Sequence, residues 1–324
     1  MEIAIWGAGA VGIGLASALA GAGPPIRIIG RDPVTLRALS EHGIERSGLF
    51  GNLRVPPERL RIESDPTCLS VQPPDWLLVC TKAYASQEIA KALEAMPACL
   101  SASTRVVLCQ NGWGNEAPFL SFWPTERLFH ARVITGFRRR LPEQVEITAH
   151  ASPIALGSVF GHPTRGLEDL AERLIRGGIP AETRADMEAV LWAKMLYNCA
   201  LNPLGALTDR RYGELAEQPA TRALIGRVVE EIFEVLFRAG YRVAWPTADA
   251  YLETFYAELI PPTAAHESSM LQDLRAGRKT EIEALCGAVE RLAADHAVET
   301  PVVSALARLV RAAERHGEGP SRAT

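Results

Sequence analysis

In the first half of the chain, short apolar runs alternate with stretches of helical periodicity. Ile3 to Trp6, Ile26 to Ile29, Trp76 to Cys80 and Val106 to Cys109 are mostly or wholly apolar, and each gives way to polar residues or glycine. Runs this short, spaced by helices such as Ile13 to Ala22, predict strands of a parallel sheet covered on both faces. Between His130 and Gly161 the pattern changes. Val145-Glu146-Ile147-Thr148 alternates, which predicts an antiparallel extension of that sheet. After about Arg184 the periodicity is helical. The expected helices are Met187 to Leu201, Ala220 to Ala239, Ala248 to Leu259, Ser268 to Arg275, Thr280 to His296 and Pro301 to Ala313. In the second of these, Leu224, Val228, Ile232, Val235 and Leu236 mark an apolar face. Gly240 and Gly277 are expected helix stops, and Pro203 should end or bend the first helix at Asn202. Residues 317–324 read as a frayed tail. The outline is an α/β domain over residues 1–184 and an all-helical domain over 185–324.

Composition narrows the classes. The 324 residues, 48% of them hydrophobic, suit two cores rather than one. A net charge of −4 and a pI near 6.0 argue against a polyanion-binding surface, so nucleic acid is a poor partner. The basic cluster Arg138, Arg139 and Arg140 reads as a solvated loop or strand end. The six cysteines form no C-x-x-C pair and mostly sit in apolar runs. They are expected to be buried reduced thiols of a cytoplasmic protein, not a disulfide framework or a metal site. No apolar run has the length of a membrane span, and no basic segment resembling the start of a signal peptide opens the chain.

The candidate chemistry begins at the N-terminus. Gly7-Ala8-Gly9-Ala10-Val11-Gly12 follows the first strand and opens a helix. In a Rossmann-like dinucleotide-binding turn, the first glycine permits the bend, the second admits the pyrophosphate and the third lets helix and strand pack closely. The free N–H groups of the helix then face the phosphates. The residue that reads the adenosine ribose falls near Ile29-Gly30-Arg31-Asp32. Asp32 could accept from a 2′-hydroxyl, whereas Arg31 could bind a 2′-phosphate; the motif favours Arg31 and NADP. Lys82, just after the third strand, is either a second cation near the cofactor phosphates or simply solvated.

In the helical half, Lys194, Asn198 and Asn202 recur every four residues and share one face of an otherwise apolar helix. They form either an interhelical polar network or a site. Thr280 could cap the last-but-one helix, making Glu281 an ordinary first-turn acid. Together such groups suit carbonyl reduction. Hydride delivery builds negative charge on the ketone oxygen, and a lysine ammonium can stabilise that charge and supply the proton.

With these residues in view, the sequence resembles the ketopantoate reductase (2-dehydropantoate 2-reductase) family over essentially its whole length. The shared pattern is Gly7-x-Gly9-x-x-Gly12, Thr81-Lys82, Gln110-Asn111-Gly112, Lys194-x-x-x-Asn198-x-x-x-Asn202-Pro203, and Ser269-Met270-Leu271-Gln272-Asp273 followed by Thr280-Glu281-Ile282. The resemblance implies Lys194 as the general acid and Glu281 as the residue that positions the substrate and the lysine. It implies Asn111, Asn198, Asn202 and Ser269 around substrate and nicotinamide, with Arg31 and Lys82 near the adenosine phosphates of NADP(H). The implied reaction is NADPH-dependent reduction of 2-dehydropantoate to (R)-pantoate, in the pathway to pantothenate and coenzyme A. A small 2-oxo acid is the expected partner, a homodimer is the expected assembly, and neither metal nor membrane is expected. Val133 to Arg140, Trp113 and Asn115 depart from the family's usual pattern. They leave open a related reductase of another 2-oxo acid or, further off, a non-catalytic NADP-binding sensor.

Overall fold

The computed structural model describes residues 1–317, so the tail expected over 317–324 lies, beyond Gly317, outside the described residues. The strands are β1 (Ile3–Trp6), β2 (Ile26–Ile29), β3 (Ile44–Gly48), β4 (Leu53–Val55), β5 (Leu60–Glu63), β6 (Trp76–Val79), β7 (Arg105–Leu108), β8 (Leu128–Arg132), β9 (Thr135–Leu141), β10 (Gln144–His150), β11 (Ile154–Gly157) and β12 (Ala181–Thr183). The chain separates into two compact units. Met1–Gln110 and Asn115–Met187 form one; Asn111–Gly114 and the chain from Glu188 on form the other.

The first unit is built on an eight-stranded sheet in the order β12-β11-β8-β7-β6-β1-β2-β5. From β5 to β8 every neighbouring pair is parallel. The continuously apolar runs form its centre, with β1, β2 and β6 buried at every position. The chain proceeds outward from β1 to β2 and later returns on the other side as β6. The carboxyl ends of β1 and β6 therefore flank the point where strand order reverses, the usual ligand position in such sheets.

The antiparallel extension exists, but it is β11 against β8. The alternating segment Val145 to Thr148 belongs instead to β10 of a separate four-stranded sheet, β4-β3-β10-β9, where it pairs with β3 in parallel and β9 antiparallel. Alternation fixes which side chains face a core, not which strand is the partner. Val145 and Ile147 do face a core, together with Ile44 and Val55. That second sheet packs on the Ala10–Gly21 helix. The helix tolerates the approach because its surface is small: a Cβ at Gly14 would lie 2.4 Å from the Phe137 ring of β9.

The second unit is helical: Met187–Thr208, Tyr212–Glu217, Pro219–Ala239, Ala248–Thr254, Ser269–Arg275, Cys286–Asp295 and Pro301–Gly317 are its α-helices. Three expectations are corrected. Pro203 does not end its helix, which runs on to Thr208. Proline removes one N–H from the ladder, and burial of Leu201, Asn202 and Leu204 holds the segment helical despite that loss. The apolar face of Pro219–Ala239 runs through Ile225 rather than Leu224, which is 38% exposed. Thr280 caps no long helix. Its hydroxyl accepts from the Ile282 N–H at 3.2 Å, the Glu281 carbonyl accepts from Ala284 and Leu285 at 3.1 Å, and the helix proper starts at Cys286. Gly240 (φ +76°) does stop its helix, in the left-handed conformation.

All six cysteines are unpaired, and all but Cys68 are buried. The thiols of Cys80 and Cys109 lie against each other, which with burial pushes the Cys80 thiol well above its ordinary value; Cys199 and Cys286 repeat this in the second unit. Among the described residues, no helix is long and apolar enough to cross a membrane.

Candidate active site

The glycine loop follows directly from the packing of β1. Gly7 adopts φ +122°, and a Cβ there would sit 2.7 Å from the Cys80 carbonyl carbon. A Cβ at Gly12 would lie 1.8 Å from the Gly7 oxygen. Both glycines are therefore demanded from within the protein. Gly9 is different: it is exposed, and a Cβ there would meet nothing within 4 Å. The helix that starts at Ala10 has no side-chain cap and no acidic residue in its first turn. An open Gly9 backbone before uncapped N–H groups fits a dinucleotide pyrophosphate. Ala8, Ala10 and Val11 are partly exposed along the same loop.

Beside it, Gln110 joins the ends of two strands. Its amide donates to the Thr81 hydroxyl and the Lys82 carbonyl, both at 3.2 Å, and accepts from Ser86 at 3.1 Å. This clamp fixes the partly exposed Lys82 beside the switch point.

At the end of β2, Arg31 is 73% exposed and pairs with Glu88 at 3.2 Å. Asp32 is committed to the next helix. It accepts from the Val34 and Thr35 N–H groups at 3.3 and 3.2 Å and from the Thr35 hydroxyl. The hydroxyl bond, then the backbone bonds and the Arg139 charge, hold its carboxyl below the ordinary aspartate value. A carboxylate so occupied is a poor receptor for a ribose hydroxyl. A further cation here, Arg139, carries no mark in the sequence that sets it apart from Arg138 and Arg140. It lies in β9, only 31% of its side chain is exposed, and it donates to the Thr35 hydroxyl and to the Ala8 carbonyl at 3.5 Å. Arg138 and Arg140 are exposed, as expected of a solvated strand end; Arg139 is not. Only the partnership of β9 with the second sheet distinguishes it.

Within the helical unit, three of the expected residues come together. The Lys194 ammonium donates to Asn111 Oδ1 at 2.7 Å, and Asn111 Nδ2 donates to Glu281 Oε2 at 3.0 Å. The direction is chemically forced, because an ammonium only donates and a carboxylate only accepts. Asn111 belongs to this unit although 76 residues separate it from Glu188, and the loop is pinned by the Trp113 N–H to the Ala284 carbonyl at 2.9 Å. Gly112 (φ +99°) lies so close to Ala284 that a Cβ would approach its oxygen to 2.3 Å. Trp113 packs against Trp192 and, edge-on, against Tyr241, with centroids at 4.8 and 5.3 Å.

The other expected residues join no hydrogen bond of that chain. Asn198 is half-buried and, among the described residues, its side chain makes no hydrogen bond. Asn202 is buried and accepts from the Tyr212 hydroxyl at 2.7 Å; burial raises that phenol well above its ordinary value, keeping it a donor. Ser269 is exposed in the first turn of its helix, while its neighbour Ser268 serves as the cap.

A doubly wound sheet with an open glycine turn, and a helical unit carrying a lysine–amide–carboxylate chain, define a dinucleotide-dependent reductase. Comparison with known proteins agrees. Residues 3–160 match the family "Ketopantoate reductase PanE/ApbA" and residues 186–314 its C-terminal family. The chain is 34% identical over 317 residues to the 2-dehydropantoate 2-reductase of Aquifex aeolicus, covering 97% of each protein. A PanE/ApbA family ketopantoate reductase from Ralstonia eutropha JMP134 superposes with a TM-score of 0.84 at 29% identity, over 98% of this chain and 100% of that one. D-mandelate dehydrogenase with NADH and anilino(oxo)acetate reaches the same TM-score at 22% identity, over 98% and 99%, a likeness of fold alone. The chain belongs to the ketopantoate reductase family, as an oxidoreductase.

Proposed function

We propose that this protein reduces 2-dehydropantoate to (R)-pantoate with NADPH, in the cytoplasm. The Lys194–Asn111–Glu281 chain, in a member of this family, carries the reading. In the proposed division of labour, residues 1–184 hold the cofactor and residues 185–324, with the Asn111 loop, hold the keto acid. Bound NADPH supplies the hydride. Lys194 stabilises the negative charge that builds on the ketone oxygen and delivers the proton. Asn111 fixes the direction of the ammonium, and Glu281, one amide away, balances its charge. Asn198 brings an uncommitted amide to the substrate, whereas Asn202 has its amide oxygen on the Tyr212 hydroxyl and offers the substrate its N–H donors. Ser269 offers a hydroxyl. The loop of Gly7, Ala8, Gly9, Ala10, Val11 and Gly12 takes the pyrophosphate, and Arg31 and Lys82 the adenosine phosphates.

One observation favours a second reading. Trp113, two residues past Asn111, packs with the buried Trp192 and with Tyr241 where the sequence departs from the family pattern. Different packing this close to Asn111 in the chain suits another 2-oxo acid as well as ketopantoate. The deciding measurement is NADPH consumption with 2-dehydropantoate and a panel of other 2-oxo acids. Fastest turnover of 2-dehydropantoate is expected. A clear preference elsewhere favours the second reading, and no turnover of any 2-oxo acid defeats both.

A further inference from the structure

We propose that Arg139, carried on a different sheet from the glycine loop, is the second arginine that receives the 2′-phosphate of a bound NADP(H). This rests on the NADP reading above and deepens it.

Residues two apart in a strand share a face. Phe137 of β9 fills the notch above Gly14 in the Ala10–Gly21 helix. Arg139 therefore emerges on the same face, and its guanidinium reaches Thr35, Ala8 and Asp32. These partners belong to the two segments that frame an adenosine ribose in such a fold: the first glycine turn and the residues after the second strand.

Arg139 keeps donors that its neighbours do not take. A guanidinium carries five N–H donors in a planar fork. Here Nη1 donates to the Ala8 carbonyl at 3.5 Å, Nε to the Leu141 carbonyl at 3.4 Å and Nη2 to the Thr35 hydroxyl, while the Asp32 carboxylate stands 4.0 Å away. That leaves one N–H on each terminal nitrogen, a pair able to take two phosphate oxygens. Arg31 alone is a weaker receptor, because it is 73% exposed and already paired with Glu88. Arg139 also offsets the charge of Asp32, a carboxylate that would repel a phosphate at this position.

The test is calorimetric titration of the full-length protein with adenosine 2′,5′-bisphosphate and with AMP, which differ only in the 2′-phosphate. The wild type is expected to bind the bisphosphate about tenfold or more tightly than AMP. Arg139→Gln should weaken the bisphosphate about tenfold and leave AMP within about twofold, a tenfold change being about 1.4 kcal/mol. Equal weakening of both ligands would mean that Arg139 merely staples the loop, which overturns the inference, as would a preference retained in full. If the glutamine variant does not fold, Arg139→Lys replaces it. Loss of the fork should then cost at least about threefold of the preference, and an unchanged preference again overturns the inference. A wild type that binds the two ligands equally sinks the NADP reading itself, a result distinct from any failure of Arg139.

Discussion

The glycine loop and the lysine chain are built in opposite ways. Gly7 to Gly12 are contiguous, and two of the glycines are dictated by backbone contacts within a few ångströms. Lys194, Asn111 and Glu281 are separated by 83 and 170 residues, and only the finished fold connects them. The loop is a local solution that any β-turn-α segment can carry. The lysine chain depends on a four-residue excursion, Asn111 to Gly114, into the helical unit. A local motif thus reports a class of ligand, and a non-local one reports the chemistry done to it.

The comparison can be broken at several points. The largest effect is expected from Lys194→Ala, which should lower kcat on the order of 10²-fold or more, as loss of a general acid does. Steady-state kinetics at saturating NADPH measures this, and near-normal kcat would remove Lys194 from the chemistry. Next come the glycines. Gly12→Ala drives a Cβ against the Gly7 carbonyl and should destabilise the protein by about 3 kcal/mol, the upper end of ordinary overpacking. Gly9→Ala should leave stability within about 0.5 kcal/mol while weakening dinucleotide binding about tenfold, since its surroundings are open. Urea melts set beside cofactor titrations separate the two, and a destabilised Gly9→Ala would show that Gly9 serves the fold.

Asn111→Ala should lower kcat about tenfold without abolishing it, because the ammonium remains but loses its guide. It should also cost about 1–2 kcal/mol of stability, leaving a half-buried cation and a buried carboxylate short of a partner. A drop as large as that of Lys194→Ala would merge the two roles. The smallest effect is at Asp32. Its folded-state carboxyl lies below the ordinary 3.8, so its contribution is present above that value and fades as pH falls through the folded one. Asp32→Ala should cost about 1 kcal/mol at neutral pH, the usual worth of a helix cap. The difference from wild type should shrink in melts taken below about pH 3.5. A gap that stays constant with pH would mean that the carboxylate's charge is irrelevant to the cap.

Much of this was legible in the chain. The central strands and the first helix needed only apolar runs and a glycine turn, because burial on both faces leaves no other pattern open to them. Sheet partnership was not legible. Val145 and Ile147 announce a buried face but carry no mark of β3, some hundred residues earlier. The same blindness hid Arg139, whose neighbours Arg138 and Arg140 are ordinary surface charges. Helix breaks were over-read. Pro203 is accommodated where tertiary packing outweighs one lost hydrogen bond, and Thr280 turns the chain six residues ahead of the helix it was expected to cap. The stripe Lys194, Asn198, Asn202 was visible as a face, but its three members have three different environments.

The polypeptide passes between the units three times, after Gln110, after Gly114 and after Met187. A gene divided at Met187 would consequently yield no self-sufficient C-terminal product: that fragment would lack the amide bridging its own ammonium and carboxylate, and the indole wedged against Trp192. Recombination with a foreign first unit would have to carry those four residues along with the second.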